Sequence, residues 1–217
     1  MIEKQDQLPL NFWLEGETEL AELPEIRHSL RHLRRHHPLL AAAYAKNGIL
    51  PWKKQPEGFE GLVNIILAQQ ISTAVATHLV RRMKAALPDI TPRRLMKLDD
   101  DAFRAMGVSR QKILYLRHLA EAMISRRLVP AALGDMPQDD AFAALTALKG
   151  IGLWSAEIYL MFSLGRADIW PAGDIALQKG LQNLYGLPER PSSVETRQHG
   201  DAFAPHRSAA SLIVWRT

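Results

Sequence analysis

Apolar side chains recur at three- and four-residue spacing along most of this chain. Nowhere do they alternate at the two-residue period of a half-buried strand over enough positions to build a sheet. Ile26, Leu30 and Leu33 form the first stripe, within a helical stretch over residues 25–46. Leu39, Leu40 and Tyr44 continue it beyond Pro38, which marks a break or a new helix start. Phe59, Leu62, Val63, Ile66 and Leu67 form a second, stronger stripe that runs into Gln69-Gln70-Ile71-Ser72. Ser72 or Thr73 then caps a helix whose stripe is Val75, Leu79 and Met83. Residues 87–106 read as short helices punctuated by Pro88 and Pro92. Ser109 is placed to cap a helix carrying Ile113, Leu116, Leu119, Ala120 and Met123. Phe142, Leu145 and Leu148 lead to the turn Lys149-Gly150-Ile151-Gly152, and Ile158, Met161 and Phe162 continue an apolar face beyond it. Residues 204–215 read as a final buried helix. The pattern predicts an all-α protein, preceded by an arm at residues 1–23 that Phe12 and Trp13 dock.

Composition narrows the classes. A chain of 217 residues holds one or two small domains with a real core. The formal net charge of +4 fits a nucleic-acid partner without deciding it. There is no cysteine, which excludes disulfides, thiolate zinc sites and a cysteine-ligated iron–sulfur cluster. No apolar run is long enough for a membrane helix and the polar start MIEKQDQ is no signal peptide, so a cytoplasmic location is expected, or a nuclear one in a eukaryote. Arg27, His28, Arg31, His32, Arg34, Arg35, His36 and His37 crowd one region. We read it as a solvated helix face. His32 and His36 stand at i and i+4 but have no further ligands signalled nearby, so no metal is expected.

Three places carry possible chemistry. Gly150 and Gly152 flank one apolar residue, which makes a tight turn whose main-chain N–H groups point outward. The helix that follows, opening at Trp154-Ser155-Ala156-Glu157, adds free N–H donors and a partial positive charge, and Lys149 adds a mobile cation. Together they suit a phosphate and grip a backbone without reading sequence. An ordinary helix–turn–helix corner would use its glycines in the same way. Asp174 ends the turn Pro171-Ala172-Gly173-Asp174 where a new helix begins. It is either a helix cap or a working carboxylate. Gln69 and Gln70 stand between two apolar helices, as buried network amides or as polar groups that approach DNA bases.

Taken together, Leu148-Lys149-Gly150-Ile151-Gly152 and Pro171-Ala172-Gly173-Asp174 resemble the hairpin and the aspartate loop of the helix-hairpin-helix DNA glycosylase superfamily. Residues 59–72, from Phe59 to Ser72, resemble its DNA-3-methyladenine glycosylase II branch. Phe203, Pro205, Arg207, Ser208, Ala210 and Trp215 follow that family's terminal pattern, with Phe203 in place of a tryptophan. The resemblance spans roughly residues 24–215. It implies a two-lobed all-α fold with a cleft, in a compact form without the β-rich domain of larger relatives. Residues 59–177 would form a central bundle with the hairpin at 140–164, and residues 24–58 and 178–217 a lobe built from both chain ends.

The implied activity is hydrolysis of the N-glycosidic bond of alkylated purines such as 3-methyladenine and 7-methylguanine in duplex DNA. The base is flipped out and an abasic site is left. Asp174 matches the catalytic carboxylate, and Gln70 the wedge that fills the hole left by the flipped base. Gln69, Ser109, Arg110, Lys112, Lys149, Gly150, Gly152 and Ser155 are the other expected DNA contacts. Trp154, Tyr159, Trp170 and Trp52, with Phe162, are the aromatics expected to line the base pocket. Strand-cutting relatives carry a Schiff-base lysine at the position of Trp154, so a monofunctional enzyme is expected. It would act as a monomer and need no cofactor, and whether the hairpin main chain holds a monovalent cation is left open. The alternatives are a glycosylase for other damaged or mismatched bases, or a non-catalytic DNA-binding module.

Overall fold

Pro24 and Pro38 each stand in the first turn of a helix, where their missing N–H costs no hydrogen bond. They start α1 (Pro24–His36) and α2 (Pro38–Asn47). The break expected at Pro38 is therefore a new helix. In this computed structural model, which describes residue 13 and residues 15–217, the helices continue as α3 (Gly58–Ala68), α4 (Thr73–Ala86), α5 (Pro92–Leu95), α6 (Asp100–Ala105), α7 (Arg110–Ile124) and α8 (Gln138–Thr146). Then come α9 (Leu153–Ile158), α10 (Ile175–Tyr185), α11 (Ser193–Asp201) and α12 (Arg207–Val214). The fold is all-α: the β pairing among the described residues is one isolated bridge between Glu19 and Lys53. No described helix is long and apolar enough to cross a membrane. The docking expected of Phe12, and most of the arm at residues 1–23, lie outside the described residues; Trp13 is half-buried.

The described residues divide into two compact units, one holding Gln55–Ser155 and the other Gly16–Lys54 with Ala156–Thr217. Residues 156–177, grouped with the central bundle in the sequence reading, are grouped here with the second unit. In the first unit α3 is the central helix. Phe59 and every residue from Gly61 to Ala68 are buried, so the expected stripe widens to the whole circumference. Helices α4 and α7 and the 3-10 turn Pro130–Leu133 pack around α3, and α5 and α6 pack on α7. Ser72 and Ser109 cap α4 and α7 as expected, each accepting a main-chain N–H three residues on. The inward stripe of α4 is Ala76, Leu79, Val80 and Met83. Val75, expected inward, is 48% exposed, because the small Ala76 takes the place closest to the core.

In the second unit α12 takes the central place, with Ser208 to Val214 all buried. Helices α1, α2 and α10 pack against it. The approach of α10 is close enough to require glycine: a Cβ on Gly180 would lie 2.1 Å from the Val214 carbonyl oxygen. Ile26, Leu30 and Leu33 face inward on α1 as expected. On α2 Leu40 is buried while Leu39 is 52% exposed, since α2 contributes only one narrow face to this core. A bidentate ion pair between Arg207 and Asp168, with both contacts at 2.7 Å, ties the start of α12 to the segment leading into the Asp174 turn.

Candidate active site

The hairpin lies within the first unit. Leu148 closes it by accepting the Ile151 N–H at 3.0 Å. Gly150 stands at φ +93°, in the left-handed region, and a Cβ there would lie 2.2 Å from the Tyr115 ring. Glycine is required twice, by the backbone and by the ring packed on it. The amide of Gln69 donates to the Gly150 carbonyl at 2.8 Å and to the Ser155 hydroxyl at 2.9 Å. Gln69 thus clamps the α3–α4 junction to the hairpin, which corrects the expectation that it reaches DNA. Ser155 is corrected with it, being 3% exposed behind that clamp. Lys112, expected on a phosphate, donates instead to the Leu67 carbonyl at 2.6 Å and so satisfies the C-terminal end of α3. Partial burial of its ammonium lowers the Lys112 pKa. Of the hairpin carbonyls, those of Leu148 and Gly150 accept hydrogen bonds from the Ile151 N–H and the Gln69 amide.

The remaining expected contacts stand on the surface of this unit. Gln70, Ser109, Arg110, Lys149 and Gly152 are exposed; Trp154, expected instead at the base pocket, is half-buried in this unit. Gln70 has φ +56°, a backbone that a residue with a side chain adopts at a cost of about 1–2 kcal/mol.

The carboxylate lies within the second unit. Two tight main-chain bonds form its turn, Ala172 N–H to Trp170 carbonyl at 2.7 Å and Asp174 N–H to Pro171 carbonyl at 2.8 Å. Asp174 is half-buried and caps α10, its Oδ1 accepting the Leu177 N–H at 2.9 Å. The same Oδ1 accepts the indole N–H of Trp215 at 3.0 Å. Asp174 is therefore a cap, as one reading had it, and the cap fixes the carboxylate in one orientation. Trp215, read from sequence as part of a buried helix, is half-buried and stands edge-on to Trp52 at 4.8 Å between ring centroids. Phe162 backs both rings, at 5.4 Å from Trp52 and 6.0 Å from Trp215. It comes from a π-turn, Tyr159–Ser163, that widens the end of α9.

Two aromatics expected at the pocket belong to the interior. Tyr159 is wholly buried and Trp170 is 3% exposed. The Trp170 ring lies over Gly200 and beside Phe203, and its indole N–H goes to the Thr196 carbonyl at 2.7 Å. Neither ring has a free face on which a base could stack.

The sequence reading also passed over Glu157. It is 2% exposed, and its Oε1 accepts from Arg197 at 3.1 Å. Its other oxygen is buried and has no hydrogen-bond partner among the described residues. Burial pushes its carboxyl up to about 7, against the pull of Arg197, and the negative charge of Asp174 adds to the rise. A charged residue immediately before the apolar run Ile158, Tyr159, Leu160, Met161 and Phe162 was the signal that could have found it.

The hairpin, the Gln69–Gln70 junction and the Asp174 turn are the places on which the sequence resemblance rests, and comparison with known proteins finds the same family. Residues 63–205 match the model of the HhH-GPD superfamily of base excision DNA repair proteins. DNA-3-methyladenine glycosylase 1 of Schizosaccharomyces pombe is 34% identical over 170 residues, 76% of this chain and 73% of that protein. The solved structure of the S. pombe 3-methyladenine DNA glycosylase Mag1 in complex with abasic DNA superimposes with a TM-score of 0.79 at 28% identity, covering 87% of this chain and 95% of that one. A DNA-3-methyladenine glycosidase from Bacillus halodurans superimposes with a TM-score of 0.73 at 33% identity, covering 90% and 89%. In sequence and in fold alike, the chain belongs to the HhH-GPD superfamily of base excision DNA repair proteins.

Proposed function

We propose that this protein is a monofunctional DNA glycosylase that removes alkylated purines, 3-methyladenine among them, from duplex DNA. The observation that carries the reading is the half-buried Asp174 carboxylate, held through Oδ1 by Leu177 and Trp215 beside the rings of Trp52 and Trp215. An alkylated purine carries positive charge and leaves readily once it is out of the stack. The C1′–N bond breaks with its electron pair going to the base, and positive charge builds on the sugar. A fixed carboxylate beside C1′ stabilises that charge and takes a proton from the water that attacks it. Trp52 and Trp215 offer electron-rich faces to the cationic base, with Phe162 behind them. The names of the S. pombe and B. halodurans relatives, and the abasic DNA bound in the S. pombe structure, support this substrate class.

The rest of the chain serves this step. Gln70 fills the hole in the stack, and Ser109, Arg110, Lys149 and Gly152 meet phosphates. Trp154 offers no amine, so water is the nucleophile and the strand stays intact. The protein works as a monomer, and no step is assigned to a cation. The test is release of 3-methyladenine and 7-methylguanine from a methylated duplex. Wild type releases base and leaves alkali-labile sites, whereas Asp174→Asn binds the duplex but releases base at least a hundredfold more slowly, on the order of the loss expected when a charge-stabilising group is removed. Equal release by both proteins would overturn the reading.

A further inference from the structure

Among the described residues Glu157 is the one carboxylate whose side chain is fully buried. A buried acid is hard to maintain. It loses hydration, and a single ion pair seldom compensates for that loss. Here the partner, Arg197, is 47% exposed, and among the described residues the second carboxyl oxygen has no hydrogen-bond partner. A neutral or apolar residue would be easier to bury, so an acid kept here suggests a use outside packing.

The surroundings indicate which use. Arg197 lies on α11, and so does Ser193. The Ser193 hydroxyl accepts from the side-chain amide of Gln178 at 3.2 Å, and that amide also donates to the Ala172 carbonyl at 2.9 Å. The main-chain N–H of Gln178 in turn donates to the Asp174 carbonyl at 3.0 Å. Helix α11 therefore holds Glu157 through one side chain and the Asp174 turn through another.

We propose that Glu157 is a positioning residue for base release, and that the charge on the Glu157–Arg197 couple sets the field in which Asp174 stabilises the sugar cation. This inference rests on the glycosylase reading and deepens it. With Glu157 ionised, the couple is neutral and Asp174 acts on the sugar unopposed. With Glu157 protonated, Arg197 is left with a net positive charge that works against the cation forming at C1′. The charged groups acting on Glu157 are Arg197 from α11, which favours the carboxylate, and Asp174 at the start of α10, which opposes it. The opposition of burial and Arg197 brings the carboxyl to about 7, so both forms are populated near neutrality.

Two measurements test this. The first is single-turnover release of 3-methyladenine from a methylated duplex between pH 5.5 and 8.5 by wild type and Glu157→Gln, with melting curves to show that both are folded. Titration of the substrate is common to both proteins. The wild-type rate is expected to rise about tenfold through neutrality, the factor that one pK unit of coupling gives. Glu157→Gln should lose that rise and stay at the low-pH rate of wild type. The second follows the Glu157 carboxyl carbon by NMR in the protein alone. Its midpoint should lie near 7 and fall in Asp174→Asn. Parallel pH profiles for the two active proteins, or a carboxyl that titrates in the ordinary range, would overturn the proposal. A wild type that releases no base would defeat the glycosylase reading instead, and the NMR titration would still decide whether the two acids are coupled.

Discussion

Trp215 donates its indole N–H to Oδ1 of Asp174 at 3.0 Å, the same oxygen that caps α10. The two donors, one from α10 and one from the residue that follows α12, fix both rotatable bonds of the carboxylate. Trp215→Phe keeps a ring against Trp52 and Phe162 and removes only the donor. A hydrogen bond to a charged group contributes about 1.5–3 kcal/mol. Single-turnover base release should therefore fall about tenfold or more, while affinity for abasic DNA holds. An unchanged rate would mean that the Leu177 cap alone orients the acid.

Neighbouring glutamines separate by role. Gln69→Ala leaves the Gly150 carbonyl and the buried Ser155 hydroxyl without their shared donor. A loss of about 1–3 kcal/mol in stability is expected, with weaker DNA binding as a consequence. Gln70→Gly relieves a left-handed backbone at an exposed site, so stability should hold or rise by about 0.5 kcal/mol. Base release should nonetheless slow, because the side chain assigned to the flipped-base gap is gone. Denaturant midpoints and release rates measured on both variants would expose a reversed assignment.

How much of this was written in the sequence differs by residue, for physical reasons. The helices were legible because apolar spacing reports one buried face, and Ser72 and Ser109 announced their own caps. The hairpin turn and the helix start at Asp174 were legible because Gly-x-Gly and Pro-Ala-Gly-Asp constrain local backbone, whereas the roles expected of them came from the family resemblance. What spacing does not carry is which side chain meets another far along the chain. Trp215 and Trp170 look alike in sequence, yet one bonds Asp174 and the other bonds the Thr196 carbonyl in the core. Lys112 looked like a phosphate contact because no local rule shows the end of α3 beside it. Glu157 was hidden because its partner, Arg197, lies forty residues downstream.

Gly150 carries the sharpest steric prediction. Gly150→Ala puts a methyl carbon 2.2 Å from the Tyr115 ring on a backbone at φ +93°. The ring must move, and the Gln69 clamp on the same residue must move with it. Strain and overpacking together should lower stability by about 2–4 kcal/mol. Gly152→Ala meets nothing within 4 Å and serves as the control. Chemical denaturation of the pair would refute this account if both variants unfolded at the same midpoint.

The buried acid also makes a prediction about stability that does not depend on activity. In the folded protein Glu157 ionises near 7, against an ordinary value of 4.5. Between those values the unfolded chain has released the proton and the folded protein has kept it. Folding therefore binds a proton in that window, and the contribution of Glu157 to stability falls as the pH rises from about 4.5 to 7, then levels off. The full span is at most about 3 kcal/mol. Glu157→Gln cannot ionise and lacks the slope, and other titrating groups largely cancel between the two proteins. The variant should thus gain on wild type from pH 5 to pH 8, whatever its stability at pH 5. Melting temperatures of both proteins across that range give the difference directly, and a constant difference would show that burial does not hold the Glu157 proton.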